Sequence, residues 1–252
     1  MTLSLLRSTI LLSVLVTGCG TSGCGSSMSN QPSPTAIPTV TPEPGAAPTA
    51  PAAPAAHGAA IDLHGGTVEA GPPPAGLAVA TFAGGCFWCM EAAFEHQAGV
   101  RDAISGYTGG PELHPGYEQV SNHGTGHAEA IRVLYDPRAV TYEQLLDLYW
   151  HRVDPVHPDR AFVDSGHQYR SVIFVHSPEQ RAAAERSRAA IVASGRFHAP
   201  VVTTVEDAPV FWVAEDYHQN FWRTSPDRYE AYHEHSGRRE FLRETWGPDA
   251  AY

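Results

Sequence analysis

The stretch AGGCFWCMEAAFEH, residues 83–96, puts two cysteines three apart beside two large aromatics and just after a glycine pair. Thiols at that spacing can clip a metal, form a structural bridge or act as reagents. A metal clip needs a second pair of ligands. The other two cysteines are Cys19 and Cys24, and the 14 histidines show no Cys-Cys-His-His spacing, so no metal or other cofactor is assigned. A Cys86–Cys89 bridge would close a tiny loop inside a helix and add little stability. Reagent chemistry fits the pattern better. A strand, a Gly-Gly turn and a Cys opening a helix set Cys86 beside unpaired backbone N–H groups carrying partial positive charge. Those groups favour the thiolate, so the Cys86 pKa is expected to fall. The glycines let a substrate approach the backbone. Cys89 lies on the same helix face and can attack a sulfur oxidised at Cys86.

A carboxyl supplies the second clue. In GHAEAIRVLYDP, Glu129 shares strand parity with Ile131, Val133 and Tyr135. Alternation puts it on the apolar face. Burial there raises its pKa and lets it hold a proton at neutral pH, as a general acid does. A wet carboxyl at the strand mouth is the alternative, and parity leaves both open. Glu91 and Glu95, four apart on the first helix, have the makings of a glycosidase pair. A solvated helix face is the expectation instead. His127 and His218 are candidate bases, but each is expected to serve as a structural hydrogen-bonding group.

The elements that must position these groups follow from periodicity and caps. The run LAVATF ends in Gly84-Gly85 and predicts a buried strand. Phe87, Met90 and Phe94 fall at helical spacing, so a helix runs from Cys86 and stops before Gly99. HAEAIRVLY is a strand stopped by Pro137. Thr141 with Gln144 forms a capping box opening a helix with Leu145, Leu148 and Tyr149 on one face. YRSVIFVHS is a strand. Ser177, Pro178 and Gln180 predict an N-cap, a first-turn proline and a second capping box, with Gly195 closing that helix. PVVTTVED is a further strand. The order gives an α+β class, a ferredoxin-like α/β sandwich with a mixed sheet. Two long loops, residues 106–127 and 154–168, are expected to carry function.

The whole chain narrows the setting. It has 252 residues and a formal charge of −11. That acidity argues against nucleic acid and against electrostatic adhesion to anionic lipid. The first 18 residues read as a signal peptide: Arg7 precedes an apolar run over residues 9–16, far below the roughly 20 residues a membrane span needs. LVTGC resembles a bacterial lipobox, which would make Cys19 a lipid anchor. A plain signal peptide is the alternative. Residues 19–75 are rich in Pro, Ala, Thr, Ser and Gly, with almost no large apolar side chains. They predict a disordered tether holding the domain of residues 76–252 off a membrane. Cys24 lies in it without an assigned chemistry.

GCFWC, SGYTGG, GYEQVSNHGTGHAEAIRVLYDP, DSGHQYRSVIF and VAEDYHQNFW together resemble the A-type peptide methionine sulfoxide reductases, over about residues 79–222. The resemblance implies Cys86 as nucleophile and Phe87 and Trp88 as the pocket for the substrate's S-methyl group. It further implies Tyr117 and Tyr169 as binders of the sulfoxide oxygen, Glu129 as proton donor and Asp164 in the same polar network. The implied reaction turns methionine-S-sulfoxide into methionine, in oxidised proteins and peptides, through a sulfenic acid on Cys86. The S epimer is selected because the oxygen and methyl sides of the pocket differ chemically. Many members keep a resolving Cys near the C-terminus; this chain has none after Phe221, which leaves Cys89. Members commonly carry Gln-Gly before the Asp-containing loop, where this chain reads PDRAFVDSG; Asp164, Gln168 and Tyr169 still align. The tail beyond Trp222 is unaccounted for. The expectation is therefore a monomeric, lipid-anchored enzyme of the bacterial cell envelope, recycled by an exported thioredoxin-like reductant.

Overall fold

Short apolar runs bounded by turn residues build one seven-stranded mixed sheet in the computed structural model, which describes residues 67–248. Along the chain come β1 (Val68–Glu69), β2 (Ala78–Gly84), α1 (Phe87–Glu95), β3 (Val100–Thr108), α2 (Tyr117–Ser121) and β4 (Ala128–Tyr135). Next are α3 (Tyr142–Trp150), the hairpin strands β5 (Arg160–Ala161) and β6 (Asp164–Ser165), β7 (Ser171–Val175) and α4 (Pro178–Ala193). Then follow β8 (Thr204–Asp207), β9 (Trp212–Val213), α5 (Phe221–Thr224), α6 (Pro226–His235) and α7 (Arg238–Trp246). The sheet order is β1-β9-β3-β4-β2-β7-β8. Among the described residues, only β7 and β8 pair in parallel. The central β3-β4-β2-β7 set, with α1 and α3 as its crossovers, is the ferredoxin-like arrangement.

Both faces of the central strands are covered. Phe82, Ile131, Val133, Ile173 and the inner faces of α1, α3 and α4 form the larger core. Val79, Ala130, Leu134, Phe174 and Phe211 form the second. Every residue of β4 is buried. The parity of Glu129 with Ile131 therefore decides which core it faces rather than whether it is wet.

Several expectations are corrected. The folded region begins by Thr67, not at 76: β1 pairs with β9, and buried Thr67 donates to the Pro115 carbonyl at 3.0 Å. Strand β3 carries no period-two signature, because VRDAISGYT shows no clean alternation. Its Gly106 lies where a Cβ would come within 2.3 Å of the Trp212 carbonyl, so close packing rather than propensity places it in the sheet. The Thr141 capping box forms in full. At α4, Ser177 caps but Gln180 does not reach back to it. The Gln180 Oε1 accepts from His176 N–H, and its Nε2 donates to the Val79 carbonyl, tying the helix to β2 instead. The helix runs to Ala193 with Ser194 as its C-cap, and left-handed Gly195 lies one residue beyond the cap.

The helix face bearing Glu91 and Glu95 is not solvated. Glu91 is fully buried and accepts the Asn220 N–H at 2.9 Å. Glu95 accepts from Trp222 Nε1 at 2.9 Å and pairs with Arg223. The C-terminal tail wraps this face. Burial pushes the Glu91 pKa up to about 8. A carboxyl raised in the fold adds stability below its unfolded pKa and loses it as pH climbs through the folded value. Glu91→Gln keeps an acceptor for Asn220. Between pH 5 and pH 8 it should therefore lose less stability than wild type, by about 2–4 kcal/mol in urea melts.

Candidate active site

The β2 strand delivers the site. It ends at Gly84, packed so tightly that a Cβ would meet Val153 at 2.4 Å. Gly85 turns at φ +88, and Cys86 becomes the N-cap of α1. The first free N–H of that helix, on Phe87, donates to Glu129 Oε2 at 3.0 Å. This contact corrects the expected fall in the Cys86 pKa. The helix-start donor is taken by a carboxyl rather than left for a thiolate, and Cys86 is 7 % exposed. Burial pushes the Cys86 thiol well up, and its hydrogen bond to Cys89 adds to that. The same bond lowers the Cys89 pKa, helped by Arg238. Glu129, 2 % exposed, is raised by burial to about 8. Both Cys86 and Glu129 thus hold protons at neutral pH, an arrangement of acid beside nucleophile.

Aromatic rings wall the approach to Cys86. Phe87 is buried against Tyr107 and His218. Half-buried Trp88 stacks on Phe221 at 3.8 Å and meets the edge of Tyr232. Its Nε1–H donates to His218 Nδ1 at 3.1 Å. Burial lowers the His218 pKa to about 4, so this histidine is a neutral acceptor that sets the indole angle. His127 is likewise structural: it accepts the Gly110 N–H and bonds the Glu112 carbonyl.

Two polar loops bring up the tyrosines. Glu215 accepts the Tyr117 N–H at 2.8 Å and the Tyr107 hydroxyl at 2.8 Å, which locks the start of α2 against β3. Tyr117 is raised by burial to about 12, with Glu129 and Cys86 adding to it. Tyr169 is also raised, by burial first and then by Glu129 and Asp164. The two phenols stay protonated and face the same neighbours, Glu129, Asp164 and Cys86. Gln168 holds the Tyr169 loop to α2 through His123 and the Ser121 carbonyl. Gly166, at φ +136, leaves no room for a Cβ beside Gln168 and His123. The structure thus gathers Cys86, Cys89, Phe87, Trp88, Tyr117, Glu129, Asp164 and Tyr169 at one place. Cys19 lies outside the described residues.

Sequence reasoning missed the tail. Tyr232 on α6 donates a short hydrogen bond to Asp164 Oδ2. Arg238 on α7, 2 % exposed, donates to the carbonyls of Arg152 and Gly84 and lies over Phe162 at 4.3 Å. The Val163 N–H donates to the Ser236 carbonyl. The AFVD stretch, where the Gln-Gly pattern is absent, packs on these tail helices. The signal was present in the aromatic and Arg spacing of RYEAYHEHSGRREF, but nothing local says what such a helix covers.

A paired buried thiol, an adjacent protonated carboxyl and two phenols on a ferredoxin-like sheet define a thiol-based redox enzyme. Residues 78–250 match the peptide methionine sulfoxide reductase family, and the match includes the tail. A peptide methionine sulfoxide reductase MsrA of Listeria innocua is 48 % identical over 170 residues, covering 68 % of this chain and 96 % of the relative. One of Ligilactobacillus salivarius is 47 % identical over 167 residues, covering 66 % and 96 %. Among solved structures, Mxr1 from Saccharomyces cerevisiae in reduced form superposes with a TM-score of 0.57 at 27 % identity, covering 62 % of this chain and 90 % of that one. Methionine sulfoxide reductase A of Corynebacterium diphtheriae gives 0.54 at 25 % identity, covering 66 % and 92 %. The chain belongs to the peptide methionine sulfoxide reductase family.

Proposed function

We propose that this enzyme reduces methionine-S-sulfoxide in oxidised proteins and peptides by attack of Cys86 on the sulfoxide sulfur. The observation that carries the mechanism is the buried Glu129 carboxyl, held by the Phe87 N–H beside the thiol. The S-methyl group rests on Phe87 and Trp88, and the oxygen takes hydrogen bonds from Tyr117 and Tyr169. A sulfoxide oxygen is a poor leaving group until protonated. Glu129 gives it a proton while the hydroxyls stabilise the developing charge. The positive sulfur then favours transfer of the Cys86 proton to the Glu129 carboxylate, and the thiolate bonds to it. The hydroxyl oxygen then moves to the Cys86 sulfur as the new sulfur–sulfur bond breaks, methionine leaves, and Cys86 becomes a sulfenic acid. Cys89 attacks that sulfur, releasing water and forming the Cys86–Cys89 disulfide. A thioredoxin-like dithiol returns both to thiols.

The N-terminal reading belongs to the same proposal: a signal peptide, Cys19 as lipid anchor, a Pro/Ala-rich tether and a monomeric domain in the cell envelope. Acyl labelling that survives Cys19→Ala would remove the anchor. The central test gives the protein racemic N-acetyl-methionine sulfoxide and dithiothreitol and follows both epimers by chiral chromatography. Loss of the S epimer alone is expected. If neither epimer disappears while Cys86 still reacts with thiol probes, a general dithiol–disulfide oxidoreductase replaces this reading.

A further inference from the structure

All 16 cationic side chains of this acidic chain are arginines, and three of them meet at one place. A cleft of about 610 Å³ lies among α1, α3, α6 and α7, with Arg152, Arg238 and Arg239 in its wall and Glu230 as its one acidic side chain. Cys89 lines it, but Phe87, Trp88, Tyr117 and Tyr169 do not. Arg239 is balanced by Glu230 and Glu234. Among the described residues Arg238 has no carboxylate within ion-pair distance, only carbonyls and the Phe162 ring. Asp164 acts on it only at longer range, and a buried guanidinium without a close counter-charge is costly. Nε of Arg238, Nε of Arg239 and Nδ1 of His233 are buried and make no hydrogen bond. Arg238 is 2 % and His233 7 % exposed. Burial lowers the His233 pKa to about 4, and Arg238, Arg239 and Arg152 push it the same way. The wall therefore offers the unbonded Nε donors of Arg238 and Arg239 to an incoming anion.

We propose that this cleft binds the carboxylate of a small anionic thiol and directs its sulfur to Cys89, giving the enzyme a second electron donor besides a protein dithiol. The volume suits a tripeptide-sized molecule. Cys89 is 4 % exposed and lines the cleft, within reach of a slim chain that enters it. The proposal rests on the Cys86–Cys89 disulfide being the oxidised form. The donor thiolate bonds to the Cys89 sulfur and Cys86 leaves as a thiolate. A second donor thiolate attacks the donor sulfur of the mixed disulfide and frees Cys89. Two donor thiols thus become one disulfide, and two electrons and two protons reach the enzyme.

The test uses full-length protein whose disulfide is formed with diamide, so the sulfoxide step plays no part and failure of the epimer assay leaves the readout intact. Thiol release is followed with glutathione, 2-mercaptoethanol and cysteamine, each rate divided by the donor's thiolate fraction. Glutathione should saturate and exceed neutral 2-mercaptoethanol by about tenfold, with cationic cysteamine slowest. Sodium chloride should narrow the gap. Arg239→Gln should narrow it as well, because it leaves Glu230 unbalanced in the cleft. Should a variant fail to fold, the wild-type charge series decides. Rates that follow thiolate fraction alone, without saturation, would overturn the proposal.

Discussion

Cys86→Ser should abolish methionine formation, by on the order of a thousandfold or more, because a hydroxyl at that position remains unionised and is a far weaker nucleophile. Cys89→Ser should behave differently. It leaves the attacking sulfur, the acid and the phenols in place, so one methionine forms per enzyme. The oxidised Cys86 then persists as a sulfenic acid, open to trapping by dimedone, and thioredoxin-driven cycling falls by roughly a hundredfold or more. Cys86 and Cys89 are the free cysteines among the described residues, and their mutual hydrogen bond lowers the pKa of Cys89, the thiol that must attack second. Single-turnover product measurement beside steady-state cycling separates the two roles. Full thioredoxin-driven cycling in Cys89→Ser would sink the resolving assignment.

Glu129→Gln should reduce kcat at pH 7 by about a hundredfold to a thousandfold, since the amide keeps the Phe87 N–H partner but has no proton to give. The sign of the pH dependence follows from a carboxyl raised to about 8. Wild-type activity is full while the acid is protonated and falls as pH rises through that value. The Gln variant should lack this alkaline limb and regain most of its activity at low pH, where external acid substitutes. Stability falls with pH in the same direction, but here the substitution helps. Protonated Glu129 supports the fold below its unfolded pKa, and that support drains as pH climbs toward 8, so the Gln variant should be the more stable protein in alkaline melts. A kcat profile identical to wild type at every pH would remove Glu129 as the acid.

The main elements around the site are readable in residue order because their signals are local. The Gly84-Gly85 break marks where β2 must turn into α1. Thr141 and Gln144 satisfy each other's helix start within four residues. The period-two spacing of Glu129, Ile131, Val133 and Tyr135 places one carboxyl on the apolar side. Buried Asp102 and Ser105 hide β3, since a strand covered on both faces need not alternate. The tail shows the same limit. RYEAYHEHSGRREF reads as polar, yet Tyr232 reaches Asp164 and Arg238 lies under Gly84, contacts more than sixty residues apart in sequence.

By itself, then, the sequence determined which chemistry was available: two thiols at helical spacing, a carboxyl of apolar parity, and the motifs that supply two phenols and a methyl pocket. Tertiary structure decided how those groups are tuned. The Phe87 N–H expected to favour a Cys86 thiolate is engaged by Glu129, so burial wins and the thiol keeps its proton. Glu91 is enclosed by the Asn220 loop instead of facing water. Arg238, from a helix with no cysteine, is placed beside Cys89. Charge state depends on which groups and how much water lie within a few ångströms in space, and that neighbourhood exists only once strands, loops and tail have closed over one another.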